Sequence, residues 1–377
     1  MRIARVSIGF PPRRCGWSNH AAALSQEQAL LGHEVTVYQP FPNPETPDRV
    51  RAVSIVSRRL LRRWGSGLGR LTFALGAARA IMRSRGGPDL LHVHGDIIEA
   101  AVLWLVARWR RIPLVVTLHS RLNRGIAYRI VAPTIWRRVD GIIGTSEDIV
   151  SDLAARGVPG TRLRAISSGV YLDRYHPPSA AERSAARKDQ QLENRRYVIV
   201  SVARLHEVKG HEYLIDAFRE LCRRGHDATL LLVGDGEART GLERRAAGLT
   251  GVRFLGELGP NDVHRVLHVA DVFVLASVDL PGVIEGTPTA VLEAMACGLP
   301  VVTTTSGGAA RVVHAEPGVT VVAQRDSLAL ATALERLATD PELRARAGSA
   351  NRSRAADRSW AHQAALVTRF YAELVRT

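Results

Sequence analysis

Residues 2–9 alternate and then run apolar, as a buried strand does. The polar loop PPRRCGWSNH leads into a helical pattern from about 19 to 31, which Gly32 closes. EVTVY at 34–38 is the next strand, so the chain opens strand–loop–helix–strand and predicts a parallel sheet. Residues 57–84 read as helical, broken near Gly65–Gly69. DLLHVH (89–94), PLVVTLH (113–119), DGIIGTS (140–146) and LRAIS (163–167) are strand-like runs ending in polar residues, with helical patterns between them. The stretch 176–195, HPPSAAERSAARKDQQLENR, is charged and short of aliphatics, which predicts an interdomain connection. A second alternating set follows, with strands at 197–203, 228–234, 252–256, 271–277, 299–305 and 320–323. The last stretch, 354–377, is a helical pattern carrying Trp360, Phe370 and Tyr371, able to pack back on either half.

The pattern therefore predicts an α/β protein of two Rossmann-like domains, 1–175 and 196–353, with a ligand cleft between them as the default expectation. The stretch that organises the second half is 285–300, EGTPTAVLEAMACGLP. Pro288 suits the first turn of a helix, Thr287 can cap it, and Gly298 and Pro300 stop it, so a helix is expected over 288–297. Glu285 precedes that helix and Glu293 lies inside it, roughly 7–8 Å along from its first turn at about 1.5 Å per residue. The N-terminus between the two carboxylates suits a phosphate, and each carboxylate can accept hydroxyl hydrogen bonds. A nucleoside-diphosphate sugar has that layout, although one solvated Glu and one loop Glu would give the same spacing.

Length and charge narrow the picture. At 377 residues the chain is long enough for about two domains. The start, MRIARVSIGF, reads as a strand and not as a leader, and no run of 18 apolar residues spans a membrane. Three scattered cysteines, Cys15, Cys222 and Cys297, fit a reducing cytoplasm and argue against a structural zinc site. The net charge is +15, almost all of it arginine, with Lys188 and Lys209 the sole lysines. From Arg51 to Arg85 there are nine arginines and no acid, interleaved with Leu60, Leu61, Trp64, Leu68, Leu71 and Phe73. An anionic membrane surface attracts such a segment, at about 1 kcal/mol per basic residue; a solvated basic helix face is the plainer alternative. No recognition motif supports nucleic acid. The expected location is cytoplasmic, free or on the inner face of the cell membrane.

In an open α/β sheet ligands bind at the carboxyl ends of strands, which places His94, His119 and Ser146 near one rim. His92 and His94 share a strand face, but no Asp or Glu at a useful spacing completes a metal site. His119 follows an apolar strand directly and is the stronger candidate. Gly16 in the first loop lets backbone approach a ligand closely. ARLHEVKG follows the first strand of the second half, and Arg204 and Lys209 there would neutralise a diphosphate and the charge developing on a leaving group.

These residues carry a family resemblance over almost the whole chain. RIARVSIGFPP with CGWSNHAAALSQEQALLGHEV, then VVTLHS, GTSE and ISSGVYLDRYHP, resemble landmarks of a first domain. SVARLHEVKGHEYLIDAF, LLLVGDGE, VRFLGEL, ADVFVLAS and EGTPTAVLEAMACGLPVV resemble those of a second, and the last motif in order with ARLxxxKG is highly specific. The chain resembles a retaining glycosyltransferase of family 4 (the group 1 glycosyltransferases) with the GT-B fold, two Rossmann-like domains facing across a cleft. The resemblance implies that Arg204 and Lys209 contact the donor diphosphate and that Glu293 holds the ribose hydroxyls. It implies that Glu285 sits at the donor sugar with Gly286, Thr287 and Thr289 in the same donor-binding turn. It places His119 near the reacting centre, Gly16 over the phosphates, and Phe254, Leu255 and Glu257 at a base pocket read mostly through backbone.

Two departures stand out. Cys15 replaces the first of two usual loop glycines, and SGGAARVV lacks the acid that often follows the glycine pair. The expected reaction is hexosyl transfer from a nucleotide sugar to an acceptor hydroxyl with retention, a phosphate oxygen acting as base. No D-x-D occurs in the chain and Arg204 and Lys209 supply the charge, so no metal and no other cofactor is expected. The basic segment favours a lipid-linked glycan acceptor in polysaccharide or envelope assembly. A soluble acceptor such as an aminocyclitol, epimerase or phosphorylase chemistry on the same fold, and a non-catalytic nucleotide-sugar-binding protein are the alternatives.

Overall fold

Strands rich in Val, Ile and Leu that are buried along nearly their whole length, as the inner strands here are, need helices on both faces, and that is what the chain builds. The computed structural model describes residues 1–9, 16–41, 49–55, 67–119, 126–194, 197–280, 288–306 and 317–375. It divides into two units, Met1–Gly169 with Trp360–Thr377, and Val170–Ser359.

In the first unit the strands are β1 (Arg2–Ser7), β2 (Glu34–Gln39), β3 (Val50–Ser54), β4 (Leu90–His94), β5 (Leu114–Leu118), β6 (Gly141–Gly144) and β7 (Leu163–Ala165). They form one parallel sheet in the order β3-β2-β1-β4-β5-β6-β7. Helices α2 (Gly67–Arg83), α3 (Ile97–Arg110), α4 (Ile126–Trp136) and α5 (Glu147–Ala155) share one apolar cluster with the sheet, built from Phe73, Leu103, Trp136, Leu153, Val93, Val116 and others. Asp96 and Glu99 form a capping box at the start of α3. Helix α1 (Gly16–Leu30) packs with α13 (Trp360–Val375), so the last helix belongs to this unit.

The second unit repeats the scheme. Strands β8 (Tyr197–Val202), β9 (Ala228–Val233), β10 (Val252–Gly256), β11 (Val272–Leu275), β12 (Val301–Thr304) and β13 (Val319–Val322) lie parallel in the order β10-β9-β8-β11-β12-β13. Helices α6 (Ala180–Asp189), α9 (Pro260–Val269), α10 (Thr289–Ala296) and α12 (Pro341–Ala356) cover one face. The other face is covered by α7 (His211–Arg223), α8 (Arg239–Arg245) and α11 (Ser327–Thr339). In each sheet the strand order reverses once, between β1 and β4 and between β8 and β11, which is where open α/β sheets bind ligands.

Two sequence expectations change, and the structure adds one strand that the sequence reading did not assign. The stretch 176–195 is not a linker: Ser179 and Glu182 form a capping box and α6 docks in the second unit. Arg183 and Arg187 reach Asp271 at 2.6 and 2.9 Å, so the helix is held by charge and shows no apolar stripe. The boundary falls after Gly169 and not after 175, because Val170 bridges Ser359 and Arg352 donates to the Tyr175 carbonyl at 2.9 Å. Finally, Val50–Ser54 in the basic segment is an edge strand, while residues 56–66 lie outside the described residues.

Candidate functional site

The rim of the second sheet is built by backbone stacking on glycine. After β8 the chain runs through Arg204 to a one-turn 3-10 helix, Glu207–Lys209, whose start is capped by His206 Nδ1 accepting from the Val208 N–H at 3.1 Å. Gly210 follows at φ +61, and a Cβ there would stand 1.9 Å from the Ala276 carbonyl oxygen. Gly234 sits at φ +131, where a Cβ would meet the Ala203 carbonyl at 2.1 Å. No side chain fits either place. The Val278 N–H donates to the Val208 carbonyl at 2.9 Å, so the loops after β8 and β11 run together at the switch point. The α7 N-terminus opens just beyond, with Lys209 half-buried beside it. Arg204 is 69% exposed and pairs with Glu237 at 3.0 Å, while His206 meets the other oxygen of that carboxylate at 3.3 Å. Glu237 is held below the usual carboxylate range by its own backbone N–H, then by Arg204 and His206.

The loop after β11 is clamped where it departs. Asp279 accepts from Ser306 Oγ and from Gln324 Nε2, both at 2.8 Å, and its own N–H donates to Gln324 Oε1 at 2.8 Å. Thr304 Oγ1 donates to the Ser277 carbonyl. Helix α10 then begins at Thr289, with Pro288 in the cap position, one residue later than the sequence suggests, and runs to Ala296, with Gly298 at φ +72 just beyond its Cys297 cap. Glu293 in α10 is half-buried, and burial pushes its carboxyl up to about 7 against the pull of the Tyr175 hydroxyl and Arg174. At neutral pH such a group can donate as well as accept, which suits a vicinal diol. Tyr175 is itself buried and its hydroxyl is pushed up by burial and by Glu293.

In the first unit the corresponding rim carries imidazoles. His119 follows β5 and lies within 3.3 Å of His94 Nδ1 through its Nε2. His20 of α1 stands edge-on to His119 with centroids 4.8 Å apart, and its Nδ1 meets Ser168 Oγ at 2.9 Å. Burial lowers His119 to about 4, and lowers His20, His92 and His94 well below the ordinary value. Beneath them Arg5 is fully buried and bonds Ser25 Oγ and Gln28 Oε1 at 2.6 Å and the Tyr371 hydroxyl at 3.3 Å, none of them acidic.

Residues 15–174 match the model of Glycosyltransferase Family 4, and residues 182–354 that of Glycosyl transferases group 1. The chain is 32% identical over 374 residues to a GDP-mannose-dependent alpha-(1-6)-phosphatidylinositol monomannoside mannosyltransferase of Mycolicibacterium smegmatis, covering 93% of each. The chain is a family 4 glycosyltransferase of group 1. A Corynebacterium glutamicum relative is the GDP-mannose-dependent monoacylated alpha-(1-6)-phosphatidylinositol monomannoside mannosyltransferase, 36% identical over 199 residues, about half of either chain (52% of each). The structure of Anabaena Alr3699/HepE in complex with UDP matches the glycosyltransferase with a TM-score of 0.81 at 19% identity, covering 99% of this chain and 100% of that one. That likeness shows the fold, and the fold is GT-B with two Rossmann-like domains.

In this glycosyltransferase Arg204, Lys209, Thr289 and Glu293 fall on one unit, on elements that leave the same switch point. His119 stands on the other unit, and Gly16 is the first residue of α1. Glu285, Gly286, Thr287, Cys15 and the loop from Gly307 to Glu316 lie outside the described residues. Phe254 and Leu255 point into the clusters on opposite faces of the second sheet, so backbone is what the rim offers at the expected base pocket, with Glu257 just past the strand. His92 is not poised for a metal: Thr117 Oγ1 engages its Nε2 at 2.7 Å and the Tyr371 hydroxyl its Nδ1. Among the described residues no three His, Cys, Asp or Glu form a metal-holding group. Sequence reasoning missed Tyr175, Glu237, Asp279 and His20. Of these His20, Tyr175 and Glu237 stand in motifs that carry the family resemblance, and Asp279 had no signal.

Proposed function

We propose that this glycosyltransferase moves a hexosyl group, with retention and without a metal, from a nucleoside-diphosphate sugar to a hydroxyl of a lipid-linked glycan at an anionic membrane surface. The acceptor hydroxyl approaches from the side on which the diphosphate leaves. The bond from the anomeric carbon to the diphosphate oxygen breaks, the new glycosidic bond forms, and the hydroxyl proton passes to a diphosphate oxygen. Lys209, the α7 N-terminus and Arg204, once released from Glu237, neutralise the charge that develops. Glu293 takes the ribose hydroxyls. The lipid-acting relatives favour this acceptor class.

One observation carries the membrane surface: the charge is segregated. The first unit has 27 basic and 12 acidic residues, a surplus of 15, while the second has 24 of each. Between Gly67 and Arg138 there are twelve arginines and three acids, and the acids are already spent, Asp89 on Arg2 and Asp96 and Glu99 on Arg70. On that same layer Leu68, Leu75, Leu105 and Trp109 stand 60%, 54%, 62% and 66% exposed. Among the described residues no helix is long and apolar enough to cross a membrane, so this surface would lie against the lipid and not through it.

Two measurements test the reading. A panel of GDP-mannose, UDP-glucose and other nucleotide sugars scored by thermal shift should show one binder, stabilising by about 2.7 kcal/mol at 100 times its dissociation constant. Turnover of that donor with lipid-linked and soluble acceptors should favour the former, survive excess chelator and retain the anomeric configuration. Transfer only to soluble acceptors, an isomerised donor, or activity restored by a divalent ion would each overturn the corresponding part.

A further inference from the structure

The imidazole pair at the first rim has a feature that sets its protons. His94 is fully buried, its Nδ1 faces His119 Nε2 at 3.3 Å, and its Nε2 has no hydrogen-bond partner among the described residues. A neutral imidazole carries one N–H, so two pairings are open. If His119 donated from Nε2, His94 would accept at Nδ1 and hold its own proton on Nε2, burying an N–H with nothing to bond. If His94 donates from Nδ1, its Nε2 is a bare lone pair. An orphaned buried N–H is a rarer defect than an acceptor with an unused lone pair.

We infer that His94 is a positioning residue: it donates from Nδ1 to His119 Nε2 and so fixes His119 as the neutral ring with its proton on Nδ1. Burial disfavours a second proton on His119, and His20 stands edge-on to the ring. His119 is then a hydrogen-bond donor through Nδ1. It cannot accept a proton at that nitrogen, which leaves the leaving diphosphate as the base for the acceptor hydroxyl. That last consequence rests on the proposed glycosyl transfer; the tautomer does not.

The test reads the proton directly. In protein labelled with 15N-histidine at pH 8, long-range 1H–15N spectra, assigned by loss of one ring in His119→Asn, should show His119 protonated on Nδ1. His94→Leu should move the proton to Nε2, the form a free neutral ring prefers in water. His94→Asn, whose amide N–H sits where Nδ1–H was, should restore it. A proton on Nε2 in the wild type, or a tautomer indifferent to His94→Leu, overturns the inference. Should His94→Leu fail to fold, the wild type and His94→Asn decide between the same outcomes. If no donor turns over while His119 shows Nδ1–H, the transfer reading fails and the tautomer assignment stands.

Discussion

The two units share strand order and wrapping, yet they treat charge in opposite ways. Along α7 and α8 the second unit answers most arginines with acids: Arg219 and Arg245 meet Asp216, Arg223 and Arg224 meet Glu220, and Arg239 meets Asp235 and Glu243. The outer helices of the first unit leave Arg79, Arg83 and Arg108 exposed beside Leu75 and Trp109, with the nearby acids committed elsewhere. Their rims are reversed. The neutral unit places cations and a carboxyl at its switch point, and the cationic unit places uncharged histidines there. A shared backbone scheme thus fixes where ligands can bind, while the side chains decide what kind of ligand each half meets.

The largest expected effect would break the rim half of the comparison. Lys209→Ala should lower kcat/KM for the donor by about 10²–10³, the usual loss when a preorganised charge-stabilising group is removed. Near-normal steady-state kinetics would refute its assignment. Next comes the surface half. Changing Arg79, Arg83 and Arg108 together to Ala should weaken binding to phosphatidylserine-containing vesicles by about 3 kcal/mol, roughly 100-fold, at about 1 kcal/mol per residue. The matched set Arg223, Arg239 and Arg346 to Ala in the second unit should leave vesicle co-sedimentation unchanged. Equal losses from both sets would mean that net charge alone, and not placement, matters.

Acidity should separate the units with opposite signs. His119 folds with its value lowered to about 4 from 6.5, so its stabilisation is complete above pH 6.5 and is lost as pH falls towards 4. Glu293 folds with its value raised to about 7 from 4.5, so it favours the folded state at acid pH and its contribution is lost as pH rises from 4.5 to 7. Hydrogen exchange followed by mass spectrometry should show first-unit amides losing protection between pH 6.5 and 4. At pH 8, urea melts should find Glu293→Gln more stable than wild type. The smallest effect concerns the exposed Arg204–Glu237 pair: Glu237→Gln should tighten donor binding a few-fold at low salt, as suits a solvent-screened pair, and calorimetry at rising salt should see the gain vanish.

Much of this was legible because the chain punctuates itself. Pro288, Gly298 and Pro300 bracket α10 to within a residue, and the uninterrupted aliphatic strands announce two parallel sheets. The rest hid for physical reasons. Val50–Ser54 is an edge strand with one buried residue, so it shows neither an apolar run nor alternation. Helix α6 is anchored through Asp271 and lacks the stripe by which helices are found. Glu237, Asp279, Tyr175 and His20 matter through partners 33, 45, 118 and 99 residues away, Arg204, Gln324, Glu293 and His119, which no local pattern could reveal.

A body whose whole excess charge of +15 sits on one unit is electrically lopsided. Near a negative plane it feels a torque within about 10 Å, a Debye length at 0.1 M salt, so it would be turned before it touches. Raising the salt should then slow landing more than it hastens departure, since the leucines and the tryptophan, once seated, are indifferent to ions.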